Sequence, residues 1–186
     1  MDPLDRKQIL EADQELRHQM NIITDFLRKY VPGYEHCTIK TGASTLGIRE
    51  SRRFSGKYVM NISDLREARR FPDVVVHKAQ FVVDIHNPVG GGQANGIAEY
   101  VDAYDIPWRS LVPQKMENLI LAGRCISGTH EAMASYRVMA IAMAIGEAAG
   151  IGAALAIDHD VTPENLDVKY IQKALMDKGA VLFDEK

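Results

Sequence analysis

The sequence predicts a mixed α/β fold, and three stretches of the chain support this prediction. Residues 5–30 carry apolar side chains at helical spacing, residues 37–113 alternate short β-rich runs with turns, and residues 118–157 join an apolar strand to a long helix of small residues. The composition, 46% hydrophobic and 25% charged, is typical of globular proteins and excludes a disordered chain. We therefore expect an antiparallel sheet region followed by one buried strand and one long buried helix.

The N-terminal stretch is predicted to be an amphipathic helix over residues 5–30. Its apolar face is formed by Ile9, Leu16, Met20, Ile23 and Leu27. Pro32 and Gly33 should end the helix, because neither residue continues it. One face of this helix should therefore pack against other residues, and the opposite face should be exposed to solvent.

Residues 37–113 are expected to form an antiparallel sheet with irregular connections. The β-rich runs that predict its strands are residues 37–41, 54–60, 74–76, 81–85 and 106–112. A short helix is predicted over residues 63–70, with Ser63 as its N-cap. Four glycines within residues 87–96 predict a mobile loop.

Residues 118–123 form an almost wholly apolar run that ends in Gly123, which is typical of a buried parallel strand. An eleven-residue connection, 124–134, leads to a predicted helix of Ala and Gly over residues 135–157. The glycines of this helix predict close approach to another backbone, because each costs about 1 kcal/mol relative to Ala. The helix is apolar nearly all round, so we expect it to be continuous and central.

This helix is long enough to cross a membrane, but its residues are only weakly hydrophobic. Glu147 lies in its middle, and a central carboxylate costs roughly 2.5–3.5 kcal/mol on insertion. A buried helix of a soluble protein therefore fits better than a membrane span. After it, Asp167 should cap a last helix over residues 168–178 that Gly179 ends, and residues 181–183 are predicted to be an edge strand.

The net charge of −3 gives the molecule no electrostatic bias toward nucleic acid or an anionic membrane. Cys37 and Cys125 are far apart and form no disulfide framework, so we expect a reducing, cytoplasmic location. The histidines show no metal-binding spacing, and no metal is expected.

Five motifs together give the chain a resemblance to a known family. They are VPGYE at 31–35, GIRESRR at 47–53, DIHNP at 84–88, YDIPWRSLVP at 104–113 and NLILAGRCISGTHEAMASYRVMAIAMAIGEAAG at 118–150. In this order they resemble the FAD-dependent oxidoreductase family. The resemblance implies a substrate-side region over residues 1–113, the last strand and helix of a Rossmann-like FAD domain over 114–160, and a C-terminal helix and tail over 161–186.

The sequence departs from the family pattern in one main respect. Family members begin with a strand, a GxGxxG turn and a helix that hold the ADP half of FAD. This sequence contains no such turn, since the glycines at 90–92 have the wrong spacing. We therefore expect a fragment whose partner is the missing N-terminal FAD-binding segment. Alone, it should bind FAD weakly or not at all, should be inactive, and should expose apolar helix surface that favours a homo-oligomer.

The resemblance implies that the flavin ring lies against the residues around the start of the long helix. The candidate cofactor-binding residues are Gly123, Arg124, Ser135, Tyr136, Arg137 and Val138. A helix N-terminus stabilises the negative charge of a reduced flavin, and Arg137 would add to this effect. The alternatives are a surface salt bridge for Arg137 and a structural hydrogen-bonding role for Arg124, where family members carry an arginine and many other flavoproteins an acidic residue.

Arg49, Arg52 and His86 are the candidate catalytic residues on the substrate side. Arginines near a flavin bind a carboxylate or polarise a carbonyl, although a charged sheet edge explains the same pattern. Asp84 and His86 are two positions apart on a predicted strand, so the carboxylate could orient the imidazole for proton transfer.

Two functions follow from these observations. The first is an FAD-dependent oxidoreductase, acting on an unidentified small molecule, to which this chain contributes the flavin-ring side of the cofactor site. The second is a cofactor-free binding or assembly module derived from a flavoprotein.

Overall fold

The computed structural model describes residues 1–86 and 98–184 of the chain. The described residues form two compact units, Met1–Ser51 and Arg52–Lys186. The predicted loop at 87–96 lies outside the described residues. The division into regions 1–113, 114–160 and 161–186 stays a prediction about function.

The first unit is organised by one long helix, α1, over Arg6–Tyr30. Asp5 caps it by accepting hydrogen bonds from the backbone N–H groups of Lys7 and Gln8, and the helix ends two positions before Pro32. The bounds of this helix were predicted correctly, but none of its residues is buried. Its apolar face lines a cleft of about 290 Å³ against residues 43–47, in which Leu16, Met20 and Leu46 take part. The predicted strand at 37–41 is wrong, because this part of the described chain has no regular pairing.

The second unit is built around two antiparallel strands, β1 over Val74–Ala79 and β2 over Tyr104–Pro107. Two register shifts interrupt their pairing, and Lys78 lies at the second with a φ of 51°. Pro107 opposes Val74 and has no N–H group to extend the ladder. The sheet is therefore antiparallel as predicted, but within the described residues it has two strands only.

The other predicted strands of this region are reduced to isolated bridges. These join Gly56 to Pro113, Met60 to Gly128 and Val83 to Glu99. The predictions of full strands at 54–60 and 81–85 were therefore wrong, and the run 106–112 is a strand only at its start. A strand needs a continuous partner, and within the described residues each of these runs pairs with a given neighbour at a single position.

The short helix α2 spans Ile62–Arg66, one position earlier and four residues shorter at its end than predicted. Its N-cap is Asn61, not Ser63. The Asn61 side chain accepts from the backbone of Ser63 and Asp64, and the Asp64 carboxylate accepts from the Asn61 N–H at 2.9 Å. This reciprocal capping box satisfies two helix-end donors and decides where α2 begins.

Residues 118–122 form no strand within the described chain, which corrects the prediction of a buried parallel strand at 118–123. Leu121 donates one backbone hydrogen bond to Leu111, and the chain then enters a 3-10 turn over Gly123–Cys125. Gly123 has a φ of +74°, a conformation that side chains strain. The predicted connection 124–134 contains both this turn and the start of a helix. The assignment of residues 114–160 to a Rossmann-like FAD domain therefore remains a proposal.

The predicted single helix over residues 135–157 is two helices. The first, α3, spans His130–Tyr136, and the second, α4, spans Met139–Asp158. Thr129 starts α3 by accepting from the Ala132 N–H, so that Ser135 and Tyr136 fall at its end. Val138 has an extended ψ of 154° and separates the two helices. The predicted start at Ser135 was therefore wrong.

One face of α4 packs against β1 and the last helix, α5 over Val168–Asp177. Its buried residues are Ile141, Ile145, Ala148, Gly152 and Ala156. The opposite face is exposed, with Met139, Met143 and Ile157 at 83%, 74% and 80% exposure. The expected burial is thus correct for one face and wrong for the other. By length and composition alone α4 passes the test for a membrane span, as many core helices of soluble proteins do, and this is weak evidence.

The last helix was predicted correctly. Asp167 caps α5 by accepting from the Lys169 N–H at 3.0 Å, and Gly179 follows its end with a φ of +94°. Residues 181–183 form no strand in the described structure, although Leu182 is buried and anchors the tail.

Candidate functional site

The junction between α3 and α4 holds the candidate residue Arg137, whose side chain is fixed by several hydrogen bonds. Its Nη2 donates to the backbone oxygen of Asp84 at 2.7 Å and to Asp84 Oδ2 at 3.0 Å, and its Nε donates to Ala134 O at 3.4 Å. The Arg137 side chain is only 13% exposed. The surface-salt-bridge alternative is therefore correct about the ion pair but not about the surface, because the guanidinium is largely enclosed.

Asp84 also contacts the candidate catalytic residue His86. Its Oδ2 atom lies 3.1 Å from His86 Nε2, and the imidazole is half exposed. The two side chains, which their spacing of two residues predicted to point the same way, are therefore in contact. A single carboxylate oxygen contacts both Arg137 and His86, which are far apart in the sequence.

Ser135 and Tyr136, two further cofactor candidates, are completely buried in the last turn of α3. The Ser135 hydroxyl donates to Phe81 O at 2.6 Å and lies 2.8 Å from the Tyr104 hydroxyl, which must then be the donor. Burial raises the pKa of Tyr104 to about 12, and the hydrogen bond with Ser135 offsets part of this rise. These contacts fix α3 against the segment that carries Asp84.

Tyr136 secures the loop that precedes α3. Its hydroxyl donates to Ile126 O at 3.1 Å, and burial raises its pKa. A Cβ at Gly128 would lie 2.5 Å from this hydroxyl, so position 128 has no room for a side chain. Arg53 donates to Gly128 O at 2.9 Å from the other side. Neither Gly128 nor Tyr104 was predicted from the sequence as a site residue, although the glycine after Ser127 was an available signal for a close approach.

The first turn of α4 begins at Val138 and Met139. Among the described residues, no side chain caps this helix, and its first turn contains no acidic residue. Its backbone N–H groups therefore form an electropositive end next to Arg137. Met139 and Ala140 are exposed there.

Gly123 and Arg124 belong to the 3-10 turn, which packs against α4. Arg124 is exposed, and Cys125 donates its S–H to Ala122 O at 3.3 Å. The turn thus lies beside the helix of the candidate site.

The two remaining candidates, Arg49 and Arg52, belong to different units. Arg49 is exposed in the first unit, and Arg52 is exposed at the start of the second.

Within residues 1–86 and 98–184, no group of three or more His, Cys, Asp or Glu side chains is arranged to hold a metal ion. The candidate site consists of Arg137, Asp84, His86, the start of α4 and the Gly123 turn.

No curated protein and no solved structure matches the chain. The family model of FAD dependent oxidoreductases matches residues 1–175, which is most of the chain and includes every candidate residue. The chain belongs to the FAD-dependent oxidoreductase family.

Proposed function

We propose that this chain supplies the flavin-ring side of the cofactor site of an FAD-dependent oxidoreductase. The observation that carries the proposal is the electropositive start of α4, which no described side chain caps and which Arg137 precedes by two positions. Family membership supplies the identity of the cofactor.

The residues at the start of α4 suit one half of FAD. An isoalloxazine ring presents carbonyl oxygens and ring nitrogens that accept hydrogen bonds, and the first turn of α4 offers backbone donors. Arg137 adds a cation that is held in place on both sides of its guanidinium. The pyrophosphate needs a glycine-rich turn before a helix, which this sequence does not contain. The chain therefore fits the ring side of FAD and not the phosphate side.

When bound, FAD supplies two-electron transfer. The chain's own contribution would be to hold the ring and to handle protons. The α4 amides would donate to the ring oxygens, and the Gly123 turn would support the helix that carries them. Because His86 Nε2 faces Asp84, the opposite ring nitrogen, Nδ1, is the atom at which His86 would exchange a proton with a substrate.

The alternative, a cofactor-free assembly module, is not favoured by the family match. Arg49 and Arg52 stay candidates for substrate binding on the strength of the resemblance alone.

The proposal is tested by amide NMR spectra recorded with riboflavin, which has the isoalloxazine ring and no phosphate. We expect saturable shifts of the Met139, Ala140 and Ile141 amides and of the Arg137 Nε–H. Arg137→Ala should weaken binding roughly threefold to tenfold, the equivalent of about 0.7–1.4 kcal/mol.

Arg66→Ala is the matched control. Arg66 forms a bidentate ion pair with Glu99 at 2.6 and 2.9 Å, but both side chains are well exposed and lie outside the candidate site. This variant should bind riboflavin like the wild type. Shifts confined to other parts of the chain, or equal losses in both variants, would contradict the proposal.

A further inference from the structure

We propose that His77 controls the docking of the tail, residues 180–184, by gaining and losing a proton. The protonated imidazole binds the Asp184 carboxylate and holds the tail on β1, whereas the neutral imidazole repels this carboxylate and favours release of the tail. The groups involved are not part of the candidate cofactor site, so the proposal does not depend on the flavin.

The first nitrogen of the His77 ring is held by Asp105. At the second register shift of the sheet, His77 and Lys78 of β1 face Asp105 of β2. The buried Asp105 carboxylate accepts from Lys78 N at 3.2 Å, and it also accepts from Arg70 Nη1 at 2.8 Å and Phe71 N at 3.4 Å. His77 Nδ1 lies 2.9 Å from the same carboxylate. Because this carboxylate acts as an acceptor on every side, Nδ1 must carry a proton and donate it.

The second nitrogen, Nε2, points at the tail. The His77 side chain is only 4% exposed, and no group of the described residues forms a hydrogen bond with Nε2. Asp184 Oδ1 lies 3.6 Å from it, just beyond hydrogen-bond distance. A neutral ring with its proton on Nδ1 has a lone pair at Nε2, which faces a carboxylate unfavourably. Protonation of Nε2 turns this contact into a charged hydrogen bond, and histidine is the side chain that changes charge between about pH 5 and 8.

Two further contacts hold the tail, and neither changes charge in this pH range. Leu182 is buried in the core, and Asp184 forms an ion pair with Lys78. The hydrogen bond from Lys78 is the main reason why the pKa of Asp184 lies below its ordinary value, so this carboxylate stays charged while a histidine titrates. Among these three contacts, the one with His77 therefore makes the docking of the tail depend on pH.

The surroundings of the ring leave Asp184 as the charge that moves. The charged groups around His77 in the described structure are Arg70, Lys78, Asp105 and Asp184. The other elements packed on β1 are α4, whose buried face is apolar, and α5, which contributes the neutral amide of Gln172. When the tail leaves, Asp105 stays on β2 and Asp184 departs. Docking of the tail and uptake of a proton by His77 therefore favour each other.

The proposal is tested by native-state proteolysis of the full chain. A protease cleaves after Phe183 when Leu182 has left the core, so the rate follows the population of released tail. Dividing this rate by that of a free peptide of residues 178–186 at the same pH removes the pH dependence of the protease. For the wild type this ratio should rise about two- to fivefold between about pH 5.5 and 8.5, which is the effect expected from one partly exposed ion pair.

Four variants, each compared with its own peptide where the tail sequence changes, show which groups cause the rise. Asp184→Asn should release the tail more at every pH and abolish the rise. Lys78→Gln should also release the tail more but should keep the rise. His77→Gln should give a ratio that does not change with pH. His159→Gln is the matched control, because this exposed histidine stacks on Tyr170 of α5 at 4.2 Å and should not affect the rise.

A wild-type ratio that stays constant with pH would overturn the proposal, as would a rise that persists in Asp184→Asn. Nitrogen NMR spectra of the His77 ring give a second measurement. They should show a proton on Nδ1 at every pH and a second proton on Nε2 as the pH falls, and a neutral ring protonated on Nε2 would contradict the proposal. Amide spectra report whether each variant folds. If His77→Gln does not, Asp184→Asn decides the test, because the Asp184 side chain is 59% exposed and its replacement leaves the core intact.

Discussion

Gly152 on α4 lies directly against the indole ring of Trp108, and a Cβ at position 152 would overlap three atoms of that ring. Trp108 cannot move aside easily, because it is buried and its Nε1 donates to Pro163 O at 3.2 Å. This contact fixes the distance between α4 and the 3-10 turn over Trp108–Ser110, which follows β2. The sequence predicted that the glycines of this helix approach another backbone closely; Gly152 instead approaches a side chain, and nothing lies within 4 Å of a Cβ at Gly146 or Gly150.

We expect Gly152→Ala to destabilise the fold. The added methyl group overpacks a dense contact, at a typical cost of about 1–3 kcal/mol, which outweighs the gain of about 1 kcal/mol from replacing a helical glycine. Urea denaturation followed by circular dichroism measures the difference.

Gly150→Ala on the same helix is the matched control, because nothing lies within 4 Å of a Cβ at that position. This variant should be more stable than the wild type by up to about 1 kcal/mol. Equal effects of the two substitutions would mean that the Trp108 contact is not rigid.

The second prediction concerns alkaline pH. Burial raises the pKa of Tyr104 to about 12 in the folded protein, whereas the unfolded value is near 10. The stability that this shift contributes is complete below pH 10 and is lost as the pH rises toward 12, since only the unfolded chain ionises readily in that range. For one group the loss approaches about 1.4 kcal/mol per pH unit.

Tyr104→Phe should therefore flatten the decline of the unfolding free energy between pH 10 and 12, even if it lowers stability at pH 8 by removing the hydrogen bond to Ser135. Tyr136 keeps its own raised pKa, so part of the decline should persist. An unchanged slope would show that the Tyr104 hydroxyl is accessible to solvent.

The third prediction tests the contact between Gly128 and Tyr136. Gly128→Ala places a methyl group 2.5 Å from the Tyr136 hydroxyl and should destabilise the protein by about 1–3 kcal/mol. Adding Tyr136→Phe removes the nearest clashing atom, so the double variant should be less destabilised than the sum of the single effects. A double-mutant cycle on the unfolding free energy measures this coupling, and strict additivity would argue against the contact.

The parts of the fold that the sequence predicts well are those that local chemistry decides. The α1 and α5 helices each begin directly after an aspartate N-cap. The α1 helix ends two positions before Pro32, and the α5 helix ends two positions before Gly179. Most of the strand predictions were wrong, because strand pairing depends on residues that are distant in the sequence. The break between α3 and α4 was not predicted, because the apolar pattern continues across it. Thr129, however, could have been recognised in the sequence as a helix N-cap.

The same distinction applies to the candidate site. The neighbours Asp84 and His86 could be paired from the two-residue period of an extended chain. The contact of Asp84 with Arg137 spans 53 positions, and no local pattern predicts it. Ser135 and Tyr136 were placed at a helix start by a wrong boundary, and the structure instead buries them at a helix end.

The fourth prediction concerns the exposed face of α4. A row of apolar side chains in water favours association, so we expect this chain to self-associate at high concentration. Met143→Lys adds a charge to this exposed face, one turn from the start of α4, and should shift sedimentation profiles toward the monomer.

Met116→Lys is the control, because Met116 is 61% exposed and lies outside α4. It should leave association unchanged. A wild-type chain that is monomeric at every concentration would contradict this prediction.

The last prediction follows from the division of the cofactor site. If the chain contributes only the ring side, then FAD and riboflavin should bind with similar affinity, because the pyrophosphate and adenosine of FAD gain no specific contacts. We expect the two dissociation constants, measured by equilibrium dialysis, to agree within about tenfold, or about 1.4 kcal/mol, and binding of both to be weak. Moderate salt should change the two constants alike, since a phosphate site built of cations would make FAD binding alone depend on salt. If FAD binds a hundredfold more tightly than riboflavin, the chain must hold the pyrophosphate through residues other than a GxGxxG turn, and the site would extend well beyond the start of α4.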